Sequence, residues 1–183
     1  MSAFKKIWHF IWKSDSFLSW IVNIILAFLL VKFIIYPGLG LILNTSLPVV
    51  AVVSSSMEHN GLSFNDWWGE NKDFYLEKGI TKDAFENYDF NNGFNKGDII
   101  FLYGDESIEK GDVIVYNGGA RYPIIHRVID KGEGYVTKGD NNKMADPKEV
   151  MEESIIGKGV FRVPLLGWVK IIFNRLVGIS IGG

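Results

Sequence analysis

Residues 96–137 read KGDIIFLYGDESIEKGDVIVYNGGARYPIIHRVIDKGEGYVT, and this stretch decides the fold class. Two Lys-Gly-Asp steps, Lys96-Gly97-Asp98 and Lys110-Gly111-Asp112, each precede an apolar run, the pattern of a turn feeding a strand. The echo is too short to count as a repeat. Residues 123–129 predict another strand, Lys131-Gly132-Glu133-Gly134 a turn, and Tyr135-Val136-Thr137 a further strand. Upstream, the β-branched run VVAVV after Pro48 reads as a buried strand entering a turn at Ser54-Ser55-Ser56-Met57. The predicted class is mainly β.

Residues 60–95 interrupt this pattern with acidic and aromatic residues, among them Trp67, Trp68, Phe74, Tyr75, Phe85 and Tyr88. Ser63 followed by Asp66 predicts the start of a helix running toward Lys78, Gly79 its end, and Thr81 the start of a second, shorter one. The segment reads as a helical insertion. Its aromatics suit either a small local core or a membrane interface. Residues 163–178 mix Leu165, Leu166, Trp168, Ile171, Ile172 and Phe173 with Lys170, Asn174 and Arg175, which predicts an amphipathic terminal helix rather than a second span.

At the other end, residues 17–36 read FLSWIVNIILAFLLVKFIIY, with Lys32 the only charge, matching the roughly 20 apolar residues that span hydrocarbon. Lys32 sits near the outer end, where its stem lets the ammonium reach the headgroups. The apolar run continues through Gly38 to Leu43 as a strand-like stretch, so the anchor is taken as residues 17–43 and read as retained. Lys5, Lys6 and Lys13 precede the span, and no basic residue follows it until Lys72. The positive-inside rule therefore makes residues 1–16 a cytoplasmic segment and residues 44–183 an extracytoplasmic domain. A buried helical hairpin of a soluble protein is the alternative.

The 183-residue chain has room for one catalytic unit and an appendage. Its formal charge of -2 gives none of the positive field that draws a protein to nucleic acid. With no cysteine, thiolate chemistry and disulfides are excluded. His9, His59 and His126 are not at ligand spacing from one another, so neither a metal nor another cofactor is expected.

A serine hydroxyl becomes a nucleophile when a base takes its proton and a third group orients that base. Serines 54–56 lie where a strand leaves the core, although serine-rich turns are commonly structural. His126 stands on an otherwise apolar strand, where an imidazole needs a partner or a purpose. Asp140 and Asp146 follow in Lys138-Gly139-Asp140-Asn141-Asn142-Lys143-Met144-Ala145-Asp146-Pro147, which alone reads as a solvated loop and lacks the ligand spacing of a calcium loop.

Together and in this order, the anchor, Ser54-Ser55-Ser56-Met57-Glu58, GDIIF, GDVIVY, PIIHRVI, TKGDNNKMAD and Gly167-Trp168-Val169 after Pro164 resemble the signal peptidase I family in its archaeal and eukaryotic endoplasmic-reticulum branch. The resemblance covers most of the chain. It implies a signal-peptidase-type β catalytic domain and a membrane-bound serine endopeptidase that removes signal peptides from exported preproteins. Ser56 would be the nucleophile and His126 the base, where the bacterial branch has lysine. Asp146 would be the triad partner and Asp140 a supporting residue, while Ser54 and Ser56 would form the oxyanion hole. The resemblance implies the plasma membrane, or the endoplasmic-reticulum membrane with a lumenal domain in a eukaryote; accessory subunits are left open. A non-catalytic binding subunit of the same fold and a peptidase for surface-appendage precursors are the alternatives. The chain departs from the family pattern at Glu58-His59, where proline is usual at the second position, and in the length of the insertion. His59 lies three residues from Ser56 and is a rival base, but is read as solvent-facing.

Overall fold

The computed structural model describes residues 2–104, 107–119 and 122–176. The chain divides into two compact units, Met1–Ile42 and Leu43–Gly183.

The first unit holds helix α1 (Ala3–Lys13) and helix α2 (Phe17–Ile42). Ser16 caps α2, its side chain accepting from the Ser19 amide. With a mean hydropathy of 2.5, α2 is long and apolar enough to cross a membrane by length and composition. Residues 38–42, read as strand-like, are helical instead. The reason lies just before Pro37, which lacks an N–H and whose ring crowds the carbonyl four residues back. The helix widens there into a π turn over Val31–Ile35, with the Tyr36 amide donating to the Val31 carbonyl, and then continues. Lys32, in that turn, lies over the Phe28 and Phe33 rings at 5.7 and 5.3 Å.

The second unit is mainly β. Strands β1 (Val49–Ala51), β2 (Ile99–Tyr103), β3 (Val113–Tyr116), β4 (Ile124–Lys131), β5 (Tyr135–Lys138) and β6 (Ile155–Val163) form one antiparallel sheet in the order β1-β2-β6-β3-β4-β5. The last strand thus returns between β2 and β3. Met57, Phe94, Ile100, Leu102, Val113 and Val115 form one buried cluster, while Ile114, Tyr116, Val128, Tyr135 and Val150 belong to another.

Both Lys-Gly-Asp turns are built alike. Gly97 and Gly111 have φ of +93° and +104°, and a Cβ on either would strike an aromatic ring, Trp168 over Gly97 and Tyr88 over Gly111. The following aspartate accepts the amide three residues back, Asn95 to Asp98 and Glu109 to Asp112, each at about 2.9 Å or less. Each also pairs with a cation from β6, Arg162 with Asp98 and Lys158 with Asp112.

Residues 60–95 carry helices α3 (Phe64–Glu77) and α4 (Lys82–Glu86). Ser63 and Thr81 cap them, accepting from the Asp66 and Ala84 amides, and Gly79 at φ +69° ends α3. The aromatics make a local core. Trp67, Trp68, Tyr75, Ile80 and Phe85 are buried with Ile129 of β4. Side chains alternate along a strand, so this packing covers the face of β4 that carries Arg127, and His126 projects from the other. Helix α5 (Trp168–Leu176) closes the described chain, and the end of the predicted 163–178 helix, residues 177 and 178, lies outside the described residues.

Candidate active site

The turn at residues 54–57 follows β1 and is held from across the chain. The Asn141 amide donates to the Ser56 carbonyl at 2.8 Å, and the Asn141 side chain donates to the Ser55 carbonyl at 3.0 Å. Met57 plugs into the core and its sulfur accepts from the Asp140 amide. The Ser54 and Ser56 hydroxyls lie 3.1 Å apart at the partly exposed rim of this turn.

His126 comes from β4, where it pairs in register with Ile114. Its Nδ1 lies 2.6 Å from Asp146 Oδ2. Gly139 lies between its Nε2 and the serine turn: a Cβ on Gly139 would lie 2.9 Å from His126 Nε2 and 2.6 Å from the Ser56 carbonyl oxygen. The missing side chain at Gly139 is what lets imidazole and serine turn approach.

Asp146 is fixed by more than the histidine. Its amide donates to the Thr137 carbonyl at 2.7 Å, and Oδ2 also accepts from the Thr137 hydroxyl at 2.6 Å and the Tyr116 hydroxyl at 2.9 Å. Partial burial pushes the carboxyl upward, but the His126 hydrogen bond and charge, with the two hydroxyl donors, outweigh it and hold the group below the ordinary carboxylate range. A carboxylate with three donors on one oxygen is kept ionised and immobile.

Asp140 sits elsewhere. It is fully buried, with Oδ1 3.0 Å from Arg127 Nε and Oδ2 2.8 Å from Arg127 Nη2, a bidentate pair on the face of β4 opposite His126. Burial would raise its carboxyl, yet the Arg127 charge and the His59 hydrogen bond hold it down to about 2. Arg127 also donates to the Asp89, Phe90 and Gly111 carbonyls and lies over the Phe85 ring, so it joins insertion, sheet and loop. Neighbouring Lys138 is buried too, its ammonium donating to Tyr75 Oη and the Gly139 and Asp140 carbonyls; burial brings it down to about 8.

His59 corrects an expectation. It is 4% exposed rather than solvent-facing, because the insertion supplies Trp67, whose ring stacks on it at 3.8 Å and 3°. Its Nε2 lies 3.4 Å from Asp140 Oδ2. Its neighbour Glu58 accepts from the Lys96 amide at 2.8 Å.

The structure therefore brings together His126 and Asp146, and Ser54 and Ser56, with Gly139 between the two pairs, and it sets Asp140 apart with Arg127. Tyr116, Thr137 and Asn141 were not legible as site residues. Arg127 carried a usable signal, since a strand neighbour of His126 must face the other way and an arginine there needs a buried partner. Among the described residues no cluster of three histidine or acidic side chains is placed to hold a metal ion.

No family model matches the chain. It is similar to proteins named signal peptidase complex catalytic subunit SEC11. The identity is 28% over 165 residues to that of Scheffersomyces stipitis, covering 82% of this chain and 80% of the relative. It is 29% over 160 residues to that of Sclerotinia sclerotiorum, covering 78% and 73%. For the Tuber melanosporum protein it is 27% over 188 residues, covering 89% and 82%.

Proposed function

Because the chain is related over most of its length to catalytic subunits of the eukaryotic signal peptidase complex, we propose that it is a membrane-bound serine endopeptidase that removes signal peptides from preproteins. The observation that carries the reading is the 2.6 Å contact of His126 Nδ1 with Asp146 Oδ2, which leaves Nε2 facing the serine turn across Gly139.

Ser56 Oγ attacks the scissile carbonyl carbon while His126 Nε2 takes its proton. The imidazolium that forms is held by Asp146, already ionised and anchored by Thr137 and Tyr116. The Ser54 hydroxyl, 3.1 Å from the nucleophile, and the Ser56 amide receive the negative charge developing on the substrate oxygen. His126 returns the proton to the leaving amine, and water, activated by the same imidazole, hydrolyses the acyl-enzyme.

In this reading α2 is the anchor, residues 1–16 face the cytoplasm, and residues 44–183 face the opposite side of the membrane. Confinement to the bilayer that holds the substrate's apolar segment raises the effective concentration of the cleavage site. Accessory subunits belong to the same proposal, since the relatives are named as members of a complex.

The test uses the full chain in detergent with a defined preprotein. Ser56→Ala and His126→Ala should each abolish cleavage while the thermal transition is retained; undiminished cleavage by either variant overturns the assignment.

A further inference from the structure

The mechanism leaves α1 unused, and its construction is specific. At the 100° spacing of a helix, Phe4, Ile7, Trp8, Ile11 and Trp12 share one side, and Lys5, Lys6, His9 and Lys13 share the other. No acidic residue precedes Asp15. Phe4 stacks on Trp8 at 6.2 Å and Trp8 meets Trp12 tilted at 5.7 Å, yet the three remain 73%, 54% and 69% exposed, an aromatic ridge too large to leave in water without a partner.

The end of α1 is tied to the first turns of α2. Ser19 Oγ donates to the Phe10 carbonyl at 2.6 Å and Asn23 Nδ2 to the Ile11 carbonyl at 2.9 Å. These are last-turn carbonyls of α1, which lack helical donors. The same bonds satisfy two polar side chains that would otherwise enter hydrocarbon bare. Resting on the reading of α2 as a span, this fixes α1 at the level where that span enters the bilayer.

We propose that α1 is an interfacial helix that binds an anionic lipid surface, its Phe4-Trp8-Trp12 ridge seated among the acyl chains and Lys5, Lys6 and Lys13 on lipid phosphates. Indole rings favour the headgroup boundary, and a row of lysines without acids complements anionic lipid rather than a mixed-charge protein face. The helix lies in the membrane plane, extending the anchor from one span to a span with a foot.

The absence of cysteine permits the test in the full chain. Single nitroxide labels are placed through Trp8→Cys, His9→Cys and Ala27→Cys, and oxygen and aqueous nickel accessibilities are measured in nanodiscs of phosphatidylcholine with and without phosphatidylglycerol. The expected result is a lipid-immersed label at 8 and a water-exposed one at 9 in the anionic discs, with label 27 in hydrocarbon in both. Each of Lys5→Glu, Lys6→Glu and Lys13→Glu should weaken the anionic preference at least about fivefold, the contribution of one basic side chain near such a surface. Equal water exposure at 8 and 9 in anionic discs with label 27 still immersed overturns the proposal while leaving the span intact. Labels at 8 and 9 shielded from both reagents overturn it in favour of a protein partner. A water-exposed label 27 overturns the span and the proposal together.

Discussion

Arg127 and Asp140 form a fully buried bidentate ion pair one residue along β4 from His126, on the opposite face of the sheet. In the proposed mechanism the pair acts through position: Asp140 precedes Asn141, which holds the Ser55 and Ser56 carbonyls. Removing one partner leaves an uncompensated buried charge, a loss of about 3–5 kcal/mol. Arg127→Met and Asp140→Asn should each lower the denaturation midpoint sharply, and a double Arg127→Met, Asp140→Leu variant should recover part of the loss.

The same pair gives a pH dependence of stability. The folded Asp140 carboxyl is depressed to about 2, below an unfolded value of about 3.9. Its contribution is fully present above the unfolded value and lost as pH falls from about 4 toward 2. Thermal melts of the wild type should drop across that window, and Asp140→Asn should start lower and lose less across it.

Much of the local structure was legible in the sequence because its causes are local. Ser63, Gly79 and Thr81 delimit the two helices of the insertion, and the two Lys-Gly-Asp steps open β2 and β3. The place of β6 between β2 and β3 was not legible, since the sheet order depends on pairings between distant residues such as Phe101 with Phe161. The burial of His59 was hidden for the same reason: Asp140 lies 81 residues away, and Trp67 belongs to an insertion whose packing no periodicity displays. Tyr116 and Thr137 carried no signal, because a tyrosine and a threonine are ordinary strand residues until the fold aims them at one carboxylate.

Their convergence on Asp146 Oδ2 makes a kinetic prediction. A hydrogen bond to a charged group contributes about 1.5–3 kcal/mol, so Thr137→Val and Tyr116→Phe should each lower kcat by about tenfold or more through a less constrained Asp146. Rates within about twofold of the wild type in both variants would deny these hydroxyls a role in holding the Asp146 carboxylate against His126.

Gly139 gives a steric prediction. A methyl group there would stand 2.6 Å from the Ser56 carbonyl and 2.9 Å from His126 Nε2, with Asn142 Nδ2 also at 2.9 Å. The serine turn and the imidazole must separate to admit it, and a displacement near 1 Å costs about a hundredfold in rate. Gly139→Ala should thus lose about that factor in kcat while circular dichroism retains the β signal.

His59 and His126 are separable by substitution. His59 stacks on Trp67 and lies near Asp140, whereas His126 bonds Asp146 and borders Gly139, which also borders the Ser56 carbonyl. His59→Phe keeps an aromatic ring for the Trp67 stack and removes only the 3.4 Å contact to Asp140, which retains Arg127. Preprotein cleavage should persist within a few-fold and the denaturation midpoint should fall modestly, by about 1 kcal/mol for a lost hydrogen bond. Trp67→Ala, which empties the space beneath His59 in the insertion core, should cost about 3–5 kcal/mol. Abolished cleavage in a folded His59→Phe variant would transfer the general-base role to His59 and leave His126 a structural partner of Asp146.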